Sequence, residues 1–128
     1  MQAAVDVSRA LGLDPAVGLG RECFIDAYGC DPERLRSQET LARVFDRVVA
    51  DLGLQPLGHL WHRFPEPGGI TGLLLLSESH LTVHTFPECR VATFNLYCCR
   101  PKADWPWNER LREALGATDV RERSQPRG

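Results

Sequence analysis

Apolar positions along this chain follow two spacings. From Leu41 onward, Leu41, Val44, Phe45, Val48, Val49 and Leu52 recur at i, i+3, i+4, i+7, i+8 and i+11, the one-sided stripe of an amphipathic helix. Asp31-Pro32 supplies a carboxylate cap and a proline at the first helical position, so the helix is predicted to begin there. Gly53 supplies its C-terminal cap. Before it, Cys23, Ile25 and Ala27 alternate with more polar residues and predict a strand over Glu22–Tyr28, ended by Gly29. After it, strands are predicted over Leu57–Phe64 and Ile70–Ser77, separated by the proline and glycine loop Pro65–Gly69. The run Leu73-Leu74-Leu75-Leu76 predicts burial on both faces of the second of these strands. Leu81–Phe86 and Arg90–Cys99 read as a further pair joined at Pro87-Glu88-Cys89. A helix follows over Trp105–Leu115, with Leu111, Ala114 and Leu115 inward and Gly116 as its cap, then a last strand over Ala117–Arg123. Ser124–Gly128 is expected to fray. Residues 1–20 read as an N-terminal extension with a short helix over Ala3–Leu11, ended by Gly12 and Asp14-Pro15. Hairpin-like strands with separately gathered helices predict an α+β fold, a two-layer sandwich in which an antiparallel β-sheet carries helices on one face.

The 128 residues show no internal repeat and no linker, which leaves one domain. Hydrophobic residues at 43% and charged residues at 25% are ordinary for a soluble globular protein. The formal charge of -2 removes the basic footprint of a general nucleic-acid binder and a polybasic membrane anchor. The longest strongly apolar stretch, near Leu73–Leu76, is far short of the ~20 residues a membrane span needs. No secretory signal is visible, and the 5 cysteines contain no Cys-x-x-Cys pair. A cytoplasmic protein with reduced, mostly core, thiols is expected.

The densest polar cluster is Ser77-Glu78-Ser79-His80-Leu81-Thr82-Val83-His84-Thr85-Phe86-Pro87-Glu88. Strand alternation places His80, Thr82 and His84 on one face. Ser79 sits at the start of that segment, where a serine beside a tight connection and near a histidine has the makings of an activated nucleophile. Such residues on a half-exposed strand also commonly face solvent or bond to backbone, so the pattern alone leaves both readings open. A zinc site is a weaker alternative. His80 and His84 lie four apart and His59 and His62 three apart, but His-Glu-x-x-His is absent and His-x-x-x-His on a strand spans ~13 Å; no metal is expected. Cys98 and Cys99 end a strand, and alternation sends one to each face. Phe64 and Phe86 lie at strand ends with Glu88 just beyond. Aromatic faces of that kind can hold a purine or a cation, and a carboxylate can accept ribose hydroxyls.

Those twelve residues, Ser77 to Glu88, resemble the signature of the short prokaryotic S-adenosylmethionine decarboxylases. Gly20-Arg21 leading to Tyr28-Gly29-Cys30-Asp31 resembles that family's first strand and turn. His62-Arg63-Phe64, the proline and glycine loop and Ile70-Thr71-Gly72 are similar to its approach to the signature, and Asn95-Leu96-Tyr97-Cys98-Cys99 to its strand ending in a catalytic cysteine. The resemblance covers roughly residues 20 to 123. It implies a decarboxylase domain over residues 21–128 that cuts itself between Glu78 and Ser79. The Ser79 hydroxyl attacks the preceding carbonyl, and β-elimination and hydrolysis leave a covalent pyruvoyl group, the cofactor that serves as electron sink when CO₂ leaves. By the same resemblance His84 is the base for processing, assisted by Thr71 where the family usually has serine. Cys99 is the proton donor to the decarboxylated carbon. Phe64 and Phe86 sandwich the adenine of S-adenosylmethionine, and Glu88 binds its ribose. A homodimer with the site between protomers is implied, supplying the aminopropyl donor for polyamine synthesis. The chain departs from the family pattern at Phe86, where tryptophan is commoner, at Asn95, where aspartate is, at Cys98 beside Cys99, and in a loop one residue longer at Pro65–Gly69. The alternatives are the same chemistry on arginine or ornithine, and a non-enzymatic or zinc-binding module.

Overall fold

The computed structural model describes residues 19–99 and 104–127. The helix expected over Ala3–Leu11 lies outside the described residues. Six strands form one sheet: β1 (Gly20–Tyr28), β2 (Pro56–Arg63), β3 (Ile70–Leu76), β4 (Ser79–Phe86), β5 (Val91–Cys98) and β6 (Asp119–Arg127), in the order β2-β3-β4-β5-β1-β6. Every neighbouring pair is antiparallel. Helices α1 (Pro32–Leu35), α2 (Gln38–Leu52) and α3 (Trp107–Leu115) complete an α+β sandwich. A short 3₁₀ turn over Pro87–Cys89 joins β4 to β5.

The helix expected to run unbroken from Asp31 is two helices. Asp31 caps α1, its carboxylate accepting from the Glu33 N–H at 3.0 Å, and Pro32 follows at the first position. Ser37 then opens α2 with its own cap, the hydroxyl accepting from the Thr40 N–H at 3.1 Å. Gly53 ends α2 in the left-handed region at φ 64°, which favours glycine. Leu41, Val44, Phe45 and Val48 of α2 and Trp107, Leu111 and Leu115 of α3 are buried, as the apolar stripe requires. Facing them are the inward residues of the sheet, among them Ile25, Leu74, Leu81, Val83, Phe94 and Leu96.

Close fit on this inner face depends on two particular residues. Gly72 lies under the Trp61 ring, and a Cβ there would fall 2.3 Å from it, so only glycine lets Trp61 reach across to pack 5.2 Å from Phe45. Thr85 is buried, and its hydroxyl accepts from the Ile70 N–H at 2.9 Å while donating to the Leu35 carbonyl at 2.8 Å. One side chain thus ties α1 to the sheet.

Two expectations are corrected. Leu73 and Leu75 are not buried on both faces; they point away from the helices and are 39% and 53% exposed, because no helix among the described residues covers the second face of the sheet. Ser124 to Arg127 do not fray. They extend β6 along β1, with Ser124 opposite Cys23 and Arg127 opposite Gly20, and the Arg127 guanidinium donates to the Glu22 carboxylate at 2.8 Å.

Thr85→Val keeps the shape and removes both hydrogen bonds. Two buried backbone groups lose their partner, so unfolding free energy is expected to fall by about 2 kcal/mol, read as a lower urea midpoint; an unchanged midpoint would contradict this role.

Candidate active site

β4 is the spine of the site. Leu81, Val83 and Thr85 are buried on the helix side, so His80, Thr82, His84 and Phe86 share the outer face. The connection from β3 is only Ser77-Glu78, which places Ser79 at the first position of β4, half-buried and opposite Cys98 in register. The Cys99 N–H donates to the Glu78 carbonyl at 3.2 Å. The peptide oxygen just before Ser79 therefore already carries a hydrogen-bond donor. If the Ser79 hydroxyl adds to that carbonyl, the charge that develops on the oxygen meets this N–H. A cleft of about 350 Å³ opens here, lined by Gly53, Gln55, Glu78, Ser79, Cys98 and Cys99.

The other predicted residues gather further along. Thr71 and His84 are register partners on β3 and β4, and the Thr71 hydroxyl lies 3.0 Å from His84 Nδ1. Phe64, Phe86 and Glu88 join them around a separate cleft of about 290 Å³. Both rings are exposed, Phe64 at 49% and Phe86 at 42%. Ser79 and His84 are thus not brought together within one chain. They are five residues apart on an extended strand, about 17 Å along it. One end of β4 holds Ser79, Glu78 and Cys99, and the other holds Thr71, His84, Phe64, Phe86 and Glu88.

Between the two ends runs a network that the sequence patterns did not single out. The Asn95 amide nitrogen donates to Glu22 at 3.0 Å, which turns its oxygen toward His80 Nε2 at 3.1 Å. An amide oxygen only accepts, so His80 carries a proton on Nε2. The Asn95 hydrogen bond, followed by the Arg127 guanidinium, holds the Glu22 carboxyl below its ordinary value against the opposing effect of burial. The signal for this network was parity: Glu22, His80, Asn95 and Arg127 all occupy outer-face positions of adjacent strands.

The thiols separate by environment. Burial pushes Cys30 up to about 11, the behaviour of a core residue. Burial, then the Glu122 carboxylate, raises Cys23. Cys98 is buried and Cys99 is half-buried, and both line the cleft that holds Glu78 and Ser79. Among the described residues, no group of three or more His, Cys, Asp or Glu is placed to hold a metal. His59 and His62 themselves project to opposite faces of β2, His59 accepting from the Trp61 indole at 3.0 Å and His62 packing edge-on to Phe64.

Relatives of the chain share this constellation's family. A protein named S-adenosylmethionine decarboxylase proenzyme from Thermotoga petrophila is 35% identical over 112 residues, 86% of this chain and 85% of that one. A protein of the same name from Caldicellulosiruptor saccharolyticus is 35% identical over 89 residues, 70% of each. Among solved structures, the adenosylmethionine decarboxylase of Aquifex aeolicus superposes with a TM-score of 0.72 at 25% identity, over 86% of this chain and 91% of that chain. Residues 21–128 match the family described as S-adenosylmethionine decarboxylase. With sheet order, polar cluster and relatives in agreement, the chain belongs to the S-adenosylmethionine decarboxylase family.

Proposed function

We propose that this chain is a proenzyme that cuts itself between Glu78 and Ser79 and then decarboxylates S-adenosylmethionine as a homodimer, each active site drawing residues from both protomers. The observation that carries the two-chain site is the distance along β4. A base must come within hydrogen-bond reach of the proton it takes, and His84 lies about 17 Å from Ser79 of its own chain. A second copy, packed outer face to outer face, supplies the missing end. Apolar surface supports that packing: Leu60 and Leu73 are register partners and, with Leu75, Phe64 and Phe86, leave a broad exposed patch on the face that no described helix covers.

In processing, the Ser79 oxygen bonds to the Glu78 carbonyl carbon, the amide nitrogen is released as an amine, and the peptide becomes an ester. The Cys99 N–H stabilises the charge on the Glu78 oxygen. The partner's His84, braced by Thr71, accepts the serine proton. Loss of the ester carboxylate by β-elimination, followed by reaction with water and release of ammonia, leaves the pyruvoyl group. Ser79 fits this conversion because it begins β4 directly after an exposed two-residue connection whose carbonyl is already engaged. The group, once formed, supplies an electrophilic carbonyl for the substrate amine and an electron sink for loss of CO₂. The remaining work belongs to side chains. Cys99 delivers the proton that replaces the carboxylate, Phe64 and Phe86 hold the adenine between their rings, and Glu88 accepts the ribose hydroxyls. The departures at Phe86 and Thr71 retain a ring and a hydroxyl. The product is an aminopropyl donor for polyamine synthesis. We place the enzyme in the cytoplasm: no disulfide joins its cysteines among the described residues, and no helix among them is long and apolar enough to cross a membrane.

Ser79→Ala and His84→Ala chains are each expected to remain uncut and inactive alone. Expressed together they form heterodimers in which one of the two sites has both residues intact, giving about a quarter of wild-type CO₂ release. No recovery on co-expression would contradict a site shared between chains. For substrate, CO₂ is expected from S-adenosylmethionine and not from arginine or ornithine. Phe86→Ala is expected to raise KM about tenfold through loss of about 1.4 kcal/mol of stacking. Release from arginine or ornithine instead would overturn the substrate reading while leaving the cleavage chemistry intact.

A further inference from the structure

β1 opens on Gly20, a buried position beside the end of β5. Its φ is 137°, a conformation that side chains disfavour. A Cβ on it would lie 2.4 Å from the Cys98 carbonyl oxygen and 3.1 Å from the Cys99 Cα. That carbonyl and the Cys99 N–H belong to one planar peptide unit. The N–H end donates to the Glu78 carbonyl at 3.2 Å, the long end of the range for such bonds. A single peptide thus turns its oxygen to Gly20 and its N–H to the carbonyl that precedes Ser79.

The neighbouring backbone has little slack. The Leu19 N–H donates to the Arg127 carbonyl at 2.8 Å, and the Leu19 carbonyl accepts from the Tyr97 hydroxyl at 2.7 Å. Gly20 is the register partner of Arg127 on β6. Cys98 is paired on both sides, with Arg21 of β1 and with Ser79 of β4. Room for a side chain at residue 20 has to come from turning the peptide after Cys98, where β5 ends. Because that unit is planar, its N–H turns with its oxygen.

We propose that Gly20 is a positioning residue for self-cleavage: by presenting no side chain to the Cys98 carbonyl, it leaves the Cys98-Cys99 peptide in the orientation that aims its N–H at the Glu78 oxygen. This rests on the reading that the chain cuts itself before Ser79 with that N–H meeting the developing charge. A donor of this kind stabilises the oxyanion only when it is already aimed at it. A residue 58 positions earlier in the sequence than Glu78 therefore governs the rate at which the Glu78 peptide bond breaks.

The test follows the fraction cut before Ser79 during cell-free synthesis of the full chain, read by mass. The urea midpoint of each variant is measured in the uncut Ser79→Ala background. Gly20→Ala is expected to slow cleavage by at least tenfold, on the order expected for a misaimed oxyanion donor. Val48→Ala removes buried core volume from α2, outside the cleft at Ser79. It is expected to lower the urea midpoint while cleavage keeps its wild-type rate. Tyr97→Phe frees the Leu19 carbonyl, so β1 can give way. Added to Gly20→Ala, it is expected to recover part of the cleavage rate while lowering the urea midpoint further, a pairing that loss of stability alone does not produce. If Gly20→Ala alone does not fold, the double variant is compared with Tyr97→Phe and is expected to cut more slowly. Gly20→Ala cutting at the wild-type rate, or Val48→Ala slowed as much, overturns the role of Gly20 and leaves self-cleavage standing. Wild type that stays one chain overturns the cleavage reading, and this inference with it.

Discussion

β4 is hydrogen-bonded along both edges, to β3 on one side and β5 on the other, and this rigidity governs the rest of the molecule. A strand so held cannot coil to bring its ends together. It advances by a fixed rise, and successive side chains go to opposite faces. Odd positions from Leu81 to Thr85 are thereby committed to the core, and His80, His84 and Phe86 to the open face. Ser79 is held at one end and His84 at the other. The proposed chemistry needs those two residues in contact, so on that proposal the same pairing that stabilises the sheet calls for a second chain.

The open face fits that proposal. Among the described residues helices cover one side, and the other exposes leucines and phenylalanines at the β2 and β3 edge while carrying Glu22, Asn95, His80 and Arg127 nearer β1. Apolar surface there would be costly on a monomer and is well suited to a second sheet. In the polar half the Asn95 amide is held by Glu22 and His80, and the Glu22 carboxylate by Asn95 and Arg127. That half can meet another protein surface without leaving these groups unpaired.

Much of this was legible in the residues. Alternation gave strand faces because period two is a local property, and the Leu41 to Leu52 stripe marked the core face of α2 for the same reason. The signature from Ser77 to Glu88 pointed to candidate residues such as Ser79 and His84, though not that they lie in two clefts, since linear proximity conceals the length of an extended strand. Four consecutive leucines read as a strand buried on both sides, but which side lacks a helix layer is a property of the whole sheet. The final residues from Ser124 show no apolar alternation. They are held by backbone pairing to β1 and by Arg127 reaching Glu22, contacts between the two ends of the chain that no local window contains. The break before Ser37 had a local signal, a capping serine, which the longer apolar stripe outweighed.

The account stands on scission before Ser79. Intact-mass measurement of purified wild-type protein tests it most directly. The account predicts two chains, residues 1–78 and residues 79–128, the second lacking a free terminal amine and lighter than a serine-terminated chain by the mass change of the conversion to pyruvoyl. A single uncut chain, or a second fragment that begins with unmodified serine, would contradict it.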